Sequence, residues 1–504
     1  MYFKLSSSII FREFDSFGYI TDNRNFRYKL LNDGESPIGD RIVSDVGCIF
    51  ISALTKKPQF IDDIVKKICI CFTDVDFNII KADVCDFLQK LNKDGFIVAG
   101  RTYQECEENE IKFSYKKTNI ENKVVKTHPC VFNVKKETQD FLDNYFDGKP
   151  QLTNVHIEII SKCNERCVHC YIPHENKTTE MSYELFYNIL NQCRELNVLH
   201  INLSGGEPLL HKDFCNFLRK CNDNNFSVNV LSNLTLLNDD ILAEMKSNPL
   251  LGVQVSLYSM NPTIHDEITQ IKGSFEKTKN GILRLIENDI PLQISCPIIK
   301  QNKDSYTDVI KWAEKYGIQV SADYVIIAGY NNTTSNLKCR LFIDEVKEII
   351  SYKMENDSKF LRQMKQDVED KKNTLPNDSI CSVCHSSICI NDNGDVYPCA
   401  GWQGYVVGNI KNTSLEEIWE ESDKVRYLRD LQKKDFPKCI NCSDRDFCTM
   451  CMIRNSNEDP LGNPLIINKY FCTIAKIKKE LFNDKTSKKN DIVINETNKK
   501  EKEK

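Results

Sequence analysis

The sequence predicts an α/β protein built on a partial (β/α)6 barrel, with a winged-helix-like α+β domain before it and a cysteine-rich domain after it. Between residues 151 and 340, six short apolar stretches alternate with amphipathic stretches, which is typical of a parallel sheet with crossover helices. Cysteines are concentrated further along the chain, since nine of the 23 fall between residues 381 and 472. The length of 504 residues also exceeds that of one ordinary domain.

The first hundred residues form a unit of their own. Polar and apolar residues alternate from Ile9 to Leu31 around two turn-like spots, which predicts a short antiparallel sheet. Three groups of apolar residues at helical spacing follow, and they end near Gly95. We therefore expect a winged-helix-like domain over residues 1–100, a linker over 101–150, the barrel over 151–340, the cysteine-rich domain with a bridging helix over 341–480, and a disordered tail over 481–504, rich in Lys, Asn and Glu.

The barrel elements follow from the periodicity of residues 155–326. The predicted strands are Val155–Ile160, Leu199–Leu203, Ser227–Ser232, Gly252–Leu257, Pro291–Ile298 and Val320–Ile326. The predicted helices cover residues 182–197, 212–224, 239–247, 274–289 and 305–316. In barrels of this kind the chemistry lies at the carboxyl ends of the strands, so the residues that follow each strand are the candidates for a site.

A C-x3-C-x2-C pattern, formed by Cys163, Cys167 and Cys170, follows the first predicted strand directly. Three thiolates on one short loop suit an iron–sulfur cluster, and three ligands leave one iron with an open position, as in catalytic metal sites. The alternative is three unrelated buried cysteines. Disulfides are not expected, because the chain begins without a secretion signal and reads as cytoplasmic.

This loop resembles the cluster loop of the radical S-adenosylmethionine (SAM) enzymes. The resemblance extends to Gly205-Gly206-Glu207-Pro208, which is similar to the GGEP motif of that family. It implies a [4Fe–4S] cluster that cleaves SAM into methionine and a 5′-deoxyadenosyl radical, with Glu207 offering its charge to the ammonium of SAM. By the same resemblance, Asn233 and Ser256 hold the ribose and carboxylate of SAM, although each also suits an ordinary strand end.

The C-terminal cysteines resemble the SPASM extension of radical SAM enzymes, which binds two auxiliary [4Fe–4S] clusters. The resemblance implies one group of ligands for the first cluster, namely Cys384, Cys399 and Cys451, with Cys381 preferred to Cys389 as the fourth. It implies a second group, namely Cys439, Cys442, Cys448 and Cys472. The gap between Cys448 and Cys451 is one residue shorter than in many relatives. A zinc fold is the alternative, but zinc ribbons usually place their knuckles about 15–20 residues apart.

The N-terminal domain looks like the peptide-recognition domain similar to the pyrroloquinoline quinone peptide chaperone (PqqD-like). Such domains bind a leader peptide as an added strand, and the strand Asn25–Leu30 with a helix near residues 83–91 would form the groove. The alternative is a winged helix that binds DNA. Residues 81–94 carry three lysines and three aspartates, whereas a DNA-binding helix is usually basic.

We therefore interpret the chain as a cytoplasmic radical SAM/SPASM maturase that crosslinks a ribosomally made precursor peptide through a thioether or carbon–carbon bond. The expected partners are the precursor peptide, held by its leader, and an electron donor such as flavodoxin or ferredoxin. A net charge of −5 and the lack of an apolar run near 20 residues predict no nucleic-acid or membrane partner. Alternatives are a formylglycine-type sulfatase maturase, a peptide epimerase and, in another class, an iron–sulfur redox regulator. The sequence does not identify a catalytic acid or base.

Overall fold

The computed structural model describes residues 1–22, 39–110 and 131–502. Its first elements are β1 (Tyr2–Leu5), β2 (Ile9–Glu13), β3 (Gly18–Asp22), β4 (Asp40–Val43), α1 (Asp45–Ser52), β5 (Gln59–Phe60), α2 (Ile61–Ile68), α3 (Phe77–Lys93) and β6 (Ile97–Gly100). One antiparallel sheet has β1 between β5 and β6, and a second has β3 between β2 and β4. The predicted sheet and helices are therefore present. The predicted strand Asn25–Leu30 lies outside the described residues.

The segment expected to be a linker holds two helices in its described part, so that expectation was wrong in this respect. They are α4 (Tyr103–Glu108) and α5 (Val131–Phe146). Phe141 and Tyr145, one helical turn apart on α5, place their rings 5.0 and 4.8 Å from the ring of Phe17. This aromatic contact fixes α5 beside the second sheet, where Thr138 donates a hydrogen bond to the Asp40 carbonyl at 3.5 Å.

The barrel region alternates strands and helices as predicted. Its elements are β7 (Asn154–Ile160), α6 (Tyr183–Glu195), β8 (His200–Gly205), α7 (Phe214–Asp223), β9 (Ser227–Ser232), α8 (Asp239–Ser247), β10 (Gly252–Ser256), α9 (Pro262–Thr269), α10 (Ser274–Glu287), β11 (Leu292–Ser295), α11 (Tyr306–Glu314) and β12 (Gln319–Ser321). Neighbouring strands from β7 to β12 pair in parallel, which confirms the predicted fold class.

The last two strands are shorter than predicted. Pro297 has no N–H to donate to a ladder, and β11 ends before it. The Asp323 side chain accepts a hydrogen bond from the Val325 N–H at 3.1 Å, and a turn of this kind takes the chain out of β12. The sequence prediction extended both strands too far because it relied on apolar composition alone.

The C-terminal region continues the barrel sheet. Its elements are α12 (Ile343–Asn356), α13 (Ser358–Lys372), β13 (Ser387–Ile390), β14 (Asp395–Tyr397), β15 (Gly408–Asn409), α14 (Leu415–Glu421), α15 (Asp423–Asp430), α16 (Pro437–Ile440), α17 (Met452–Glu458) and α18 (Lys469–Lys502). β13 pairs in parallel with β7, and β14 and β15 follow antiparallel, giving a nine-stranded sheet. The cysteine-rich region is therefore joined directly to the first barrel strand.

The tail expected to be disordered is helical as far as Lys502. Lys and Glu are good helix formers, and α18 begins with an apolar face, in which Phe471, Ile474 and Ile477 are buried. The helix can therefore continue beyond its packed part without further apolar residues. No helix in the described part of the chain combines the length and the apolar character that a membrane span requires.

A buried arginine attaches the N-terminal domain to the barrel. Arg12 on β2 is 0 % exposed, and its guanidinium donates to the carbonyls of Val198 (2.8 and 2.6 Å), Asn225 (3.0 Å) and Phe11 (2.7 Å). The Asn225 side chain also bonds to Phe11 N–H and to the Ile9 carbonyl, so it covers the outer edge of β2. Val198 and Asn225 precede β8 and β9, and the domain therefore docks at the amino ends of the barrel strands.

Candidate functional site

The predicted site residues of the barrel lie together at the carboxyl ends of neighbouring strands. The loop with Cys163, Cys167 and Cys170 follows β7, and Gly205–Pro208 ends β8 and continues from it. Asn233 follows β9, and Ser256 is the last residue of β10. Because these strands are parallel and adjacent, the four segments meet at one edge of the sheet, where barrel enzymes hold their substrates.

Two glycines let the motif after β8 pack onto the cysteine loop. A Cβ added at Gly205 would overlap the Ile160 carbonyl, and one at Gly206 would overlap the carbonyls of Ser161 and Lys162. Gly205 also has φ +133, a conformation that other residues rarely adopt. Hydrogen bonds from Gly206 N–H to Ile160 O (2.7 Å) and from Glu207 N–H to Lys162 O (3.0 Å) join the two segments. The glycines thus position the start of the cysteine loop.

The Glu207 carboxylate is buried and accepts its hydrogen bonds from neighbouring groups of the protein. It is 1 % exposed. Its Oε1 accepts hydrogen bonds from Ser232 Oγ (2.7 Å) and Leu209 N–H (2.9 Å), and its Oε2 accepts one from Asn233 N–H (2.7 Å). Burial raises the pKa of Glu207 to about 7. The structure thus shows Glu207 bracing the end of β8 against the end of β9, and its predicted contact with the ammonium of SAM stays a prediction.

Asn233 connects β9 to the cysteine loop. Its Nδ2 donates to Asn164 Oδ1 at 3.0 Å, and its Oδ1 accepts from the N–H and the hydroxyl of Thr235. Asn164 donates in turn to Thr235 Oγ1 at 2.7 Å. Ser256, in contrast, lies one strand further away, in register with Ser295 of β11. The structure therefore brings Asn233 into direct contact with the loop, whereas Ser256 reaches it through Tyr258, whose hydroxyl bonds to both Ser256 and Cys167.

The three thiols of the loop are half-buried neighbours. Burial raises the pKa of the Cys167 thiol, and the nearby Cys170 and Cys163 add to the rise. Tyr258, just beyond β10, donates a hydrogen bond to Cys167 Sγ at 3.7 Å. Among the described residues, no three His, Cys, Asp or Glu side chains converge on the position of one metal ion. The donor set consists of soft sulfur atoms on one loop, which suits an iron–sulfur cluster.

The C-terminal cysteines form two neighbouring groups. Cys381, Cys399 and Cys451 line a cavity of about 460 Å³ between the end of the barrel and the cysteine-rich region. Burial raises the pKa of Cys384 to about 12, with nearby Cys381 and Cys399 contributing. These four are the residues expected at the first auxiliary cluster. Cys389 is buried on β13 and does not line the cavity.

The second group lies closer to the surface. Burial raises the pKa of Cys439, with contributions from Cys448, Cys472 and Cys442 in that order, so these four thiols are mutual neighbours. Cys442 and Cys472 are exposed, and Cys448 also lines the cavity of the first group. The division into two sets of four agrees with the one that the resemblance implies, while the ligand roles stay a prediction.

A buried carboxyl on β7, overlooked in the sequence, links the two cysteine regions. Glu158 is 5 % exposed and accepts hydrogen bonds from Gln403 Nε2 (3.0 and 3.2 Å) and from Tyr171 OH (3.5 Å). Tyr171 follows Cys170, and Gln403 lies four residues after Cys399. The signal was available, since Asn154, His156 and Glu158 form a polar row on an otherwise apolar strand.

Replacing Glu158 with glutamine should change the pH dependence of stability. Burial raises the pKa of Glu158 to about 7, above the value of about 4.3 in an unfolded chain. The folded state therefore prefers the protonated carboxyl. The contribution of Glu158 to the free energy of unfolding is fully present below about pH 4 and is lost as the pH rises through 7. In guanidinium unfolding, the difference in unfolding free energy between Glu158→Gln and the wild type should shift in favour of the variant by on the order of 3 kcal/mol from pH 5 to pH 8.5.

A matched control is Glu314→Gln, because Glu314 is exposed on α11. Its unfolding free energy should run parallel to that of the wild type over the same pH range. Parallel curves for Glu158→Gln and the wild type would show that the carboxyl is not held in its protonated form.

With this geometry in place, comparison with known proteins defines the class. The Radical SAM superfamily matches residues 157–313, and SPASM, an iron–sulfur cluster-binding domain, matches residues 381–443. The chain is therefore a radical SAM enzyme with a SPASM domain. These domains indicate [4Fe–4S] clusters and SAM as cofactors.

Individual relatives differ in what they make. The AdoMet-dependent heme synthase of Methanosarcina barkeri is 25% identical over 59% of this chain and 90% of its own length. The antilisterial bacteriocin subtilosin biosynthesis protein AlbA of Bacillus subtilis is 24% identical over 65% of this chain and 72% of its own length. Among solved structures, Streptococcus suis SuiB bound to precursor peptide SuiA superposes with a TM-score of 0.56 and 14% identity, covering 94% of this chain and all of SuiB.

Proposed function

We propose that this enzyme modifies a ribosomally synthesised precursor peptide and forms an intramolecular crosslink, either a thioether or a carbon–carbon bond. When bound, the cluster and SAM supply a carbon-centred radical that removes a hydrogen atom from the substrate. The protein contributes the cysteine loop that would hold the cluster and the glycines after β8 that position this loop.

The observation that carries the proposal is the extra length of this chain relative to the heme synthase. That relative has only a tenth of its length outside the match, whereas two-fifths of this chain lie outside it. The fold of SuiB, in contrast, extends over 94% of this chain, and so over most of the N-terminal domain. A domain docked on the barrel by Arg12 suits an enzyme that must hold a long substrate away from its reacting centre.

The expected substrate route begins at the N-terminal domain, which would bind the leader of the peptide. The outer edge of β2 is covered by Asn225, and α5 lies beside β4. The leader would therefore use the part of the domain near α3.

An electron donor such as flavodoxin or ferredoxin would reduce the cluster, and we place the enzyme in the cytoplasm.

The test compares two classes of substrate. Anaerobically reconstituted enzyme with SAM and dithionite is given either the short peptide encoded in a neighbouring reading frame or a tetrapyrrole of the kind used in heme synthesis. The peptide should raise 5′-deoxyadenosine release above the level with SAM alone, and the tetrapyrrole should not. Stimulation by the tetrapyrrole and none by the peptide would contradict the proposal and favour the heme-synthase type of reaction.

We infer that Cys381, and not Cys389, completes the ligands of the first auxiliary cluster. Cys381 lines the same cavity as Cys399 and Cys451, and burial raises the pKa of Cys399 with contributions from Cys451 and Cys381. Cys389 is buried on β13, near Cys399 and Cys384. Reconstituted wild type should hold roughly 12 iron atoms per chain, for three [4Fe–4S] clusters. Cys389→Ala should keep this content, and Cys381→Ala should fall toward roughly 8. The reverse pattern would assign Cys389, and a wild type with about four iron atoms would remove both auxiliary clusters.

A further inference from the structure

A buried arginine without a counter-ion lies in the wall of the cavity that the first group of C-terminal cysteines lines. Arg454 on α17 is 8 % exposed, and it lines this cavity together with Cys399 and Cys451. In the part of the chain that the structure describes, no carboxylate forms an ion pair with it. A buried charge is costly unless an opposite charge compensates it, and these residues provide none for Arg454.

Two other buried arginines have the partners that Arg454 lacks. Arg340 is paired with Glu458 at 2.6 Å, and Arg12 donates four hydrogen bonds to backbone carbonyls. Within the described residues, the guanidinium of Arg454 donates to one acceptor, the Thr449 carbonyl. A guanidinium has five N–H donors, so most of those of Arg454 are left for whatever fills the cavity.

A second cation lines the same cavity from α18. Lys478 is half-buried and, among the residues that the structure describes, belongs to no ion pair. The charges of Asp323, Lys371 and Arg454 and the thiol of Cys448 act on it. Asp323 is the acidic group of this set, and it is exposed to solvent. Positive charge therefore exceeds negative charge around this part of the cavity.

An iron–sulfur cluster is an anion that suits this position. The cavity is lined by thiols of both C-terminal groups, namely Cys399 and Cys451 of the first and Cys448 of the second, and soft sulfur ligands suit such clusters. A cluster held by thiolates becomes more negative when it is reduced. Positive charge beside it and hydrogen bonds to its sulfurs therefore stabilise the reduced form and raise the reduction potential.

We propose that Arg454 and Lys478 are the counter-charges of the auxiliary clusters and raise their reduction potentials. The use of this potential rests on the proposed function. In crosslinking, the peptide radical would lose a proton to solvent and an electron to an auxiliary cluster, so that the peptide is oxidised and the cluster is reduced. A higher potential makes the cluster a better acceptor for this electron.

The test measures reduction potentials and uses no peptide, so its outcome does not depend on the proposed function. The reconstituted full-length enzyme is titrated with dithionite and followed by electron paramagnetic resonance, with and without SAM. Signals that SAM does not change belong to the auxiliary clusters. In Arg454→Met and Lys478→Met, an auxiliary cluster should be about tenfold less reduced at a given potential, which is a fall of about 59 mV for a one-electron couple. Arg454→Lys and Lys478→Arg should stay near the wild type.

Lys365→Met is the matched control, because Lys365 is an exposed lysine on α13 that does not line the cavity. Its midpoint potentials should equal those of the wild type. The proposal is overturned if the methionine variants that keep their iron also keep the wild-type midpoints. If both methionine variants lose auxiliary iron, the variants that retain the charge decide. Iron kept in Arg454→Lys and Lys478→Arg assigns the loss to the missing charge, whereas iron lost in these variants too shows a packing role and overturns the proposal.

Discussion

Replacing Cys163 with alanine is expected to reduce the release of 5′-deoxyadenosine to background. Cys163 is one of three thiols on the loop after β7, and Gly205 and Gly206 hold the start of this loop against the end of β8. Two thiols cannot hold the cluster that cleaves SAM, because the usual complement of four positions is already one short. The measurement is 5′-deoxyadenosine by chromatography after anaerobic incubation with SAM and dithionite, together with iron content, which should fall by about four atoms per chain.

The matched control is Cys215→Ala. Cys215 is a half-buried cysteine on α7, outside all three groups of thiols. Its variant should keep the iron content and the 5′-deoxyadenosine release of wild type. Retained release in Cys163→Ala would show that the loop after β7 does not hold the SAM-cleaving cluster.

Replacing Arg12 with methionine should separate peptide modification from SAM cleavage. Among the residues that the structure describes, no acidic side chain pairs with the guanidinium, which is held by backbone carbonyls of both domains, among them those of Val198 and Asn225. Its removal leaves these carbonyls buried without a donor, at a cost of about 3 kcal/mol or more to domain docking. Peptide crosslinking should therefore fall more than about tenfold, whereas 5′-deoxyadenosine release with SAM alone should persist. Hydrogen exchange should increase in β2 and β3.

Arg219→Met is the matched control for Arg12→Met. Arg219 lies on the surface of α7, paired with Glu244 at 2.6 Å, and exposed pairs contribute little. This variant should crosslink peptide like wild type. If Arg12→Met crosslinks peptide at the wild-type rate, the N-terminal domain does not need to be docked for substrate capture.

The barrel could be predicted from sequence because its pattern is local. Val155, Ile157 and Ile159 alternate with polar residues on β7, and all three are fully buried. The same local pattern did not predict elements whose position depends on contacts between residues far apart in sequence. β13 joins β7 by pairing Ile388 with Val155, and nothing in either segment specifies the other. The helix α5 was overlooked for the same reason, because its Phe141 and Tyr145 pack against Phe17, which is distant in sequence.

The candidate site was predictable in its residue types and less so in their roles. Spacing located the cysteines because thiolate ligands on one loop must be close in sequence. Spacing could not show that the oxygens of Glu207 already accept hydrogen bonds from the protein. Such roles depend on where donors from Ser232 and Leu209 lie after folding, which a motif does not specify. The role of Glu158 also depends on contacts formed after folding, because its partners Tyr171 and Gln403 come from two distant loops.

The most direct test of the central claim is the mass of the precursor peptide after anaerobic incubation with the reconstituted enzyme, SAM and dithionite. Each crosslink forms with the loss of two hydrogens: one would be removed as an atom by the radical, and one would leave as a proton while an auxiliary [4Fe–4S] cluster accepts the remaining electron. The account predicts a product lighter than its precursor by two hydrogens per link, with fragmentation suppressed between the joined residues. A modified peptide of unchanged mass and altered stereochemistry would contradict crosslinking and identify the reaction as epimerisation.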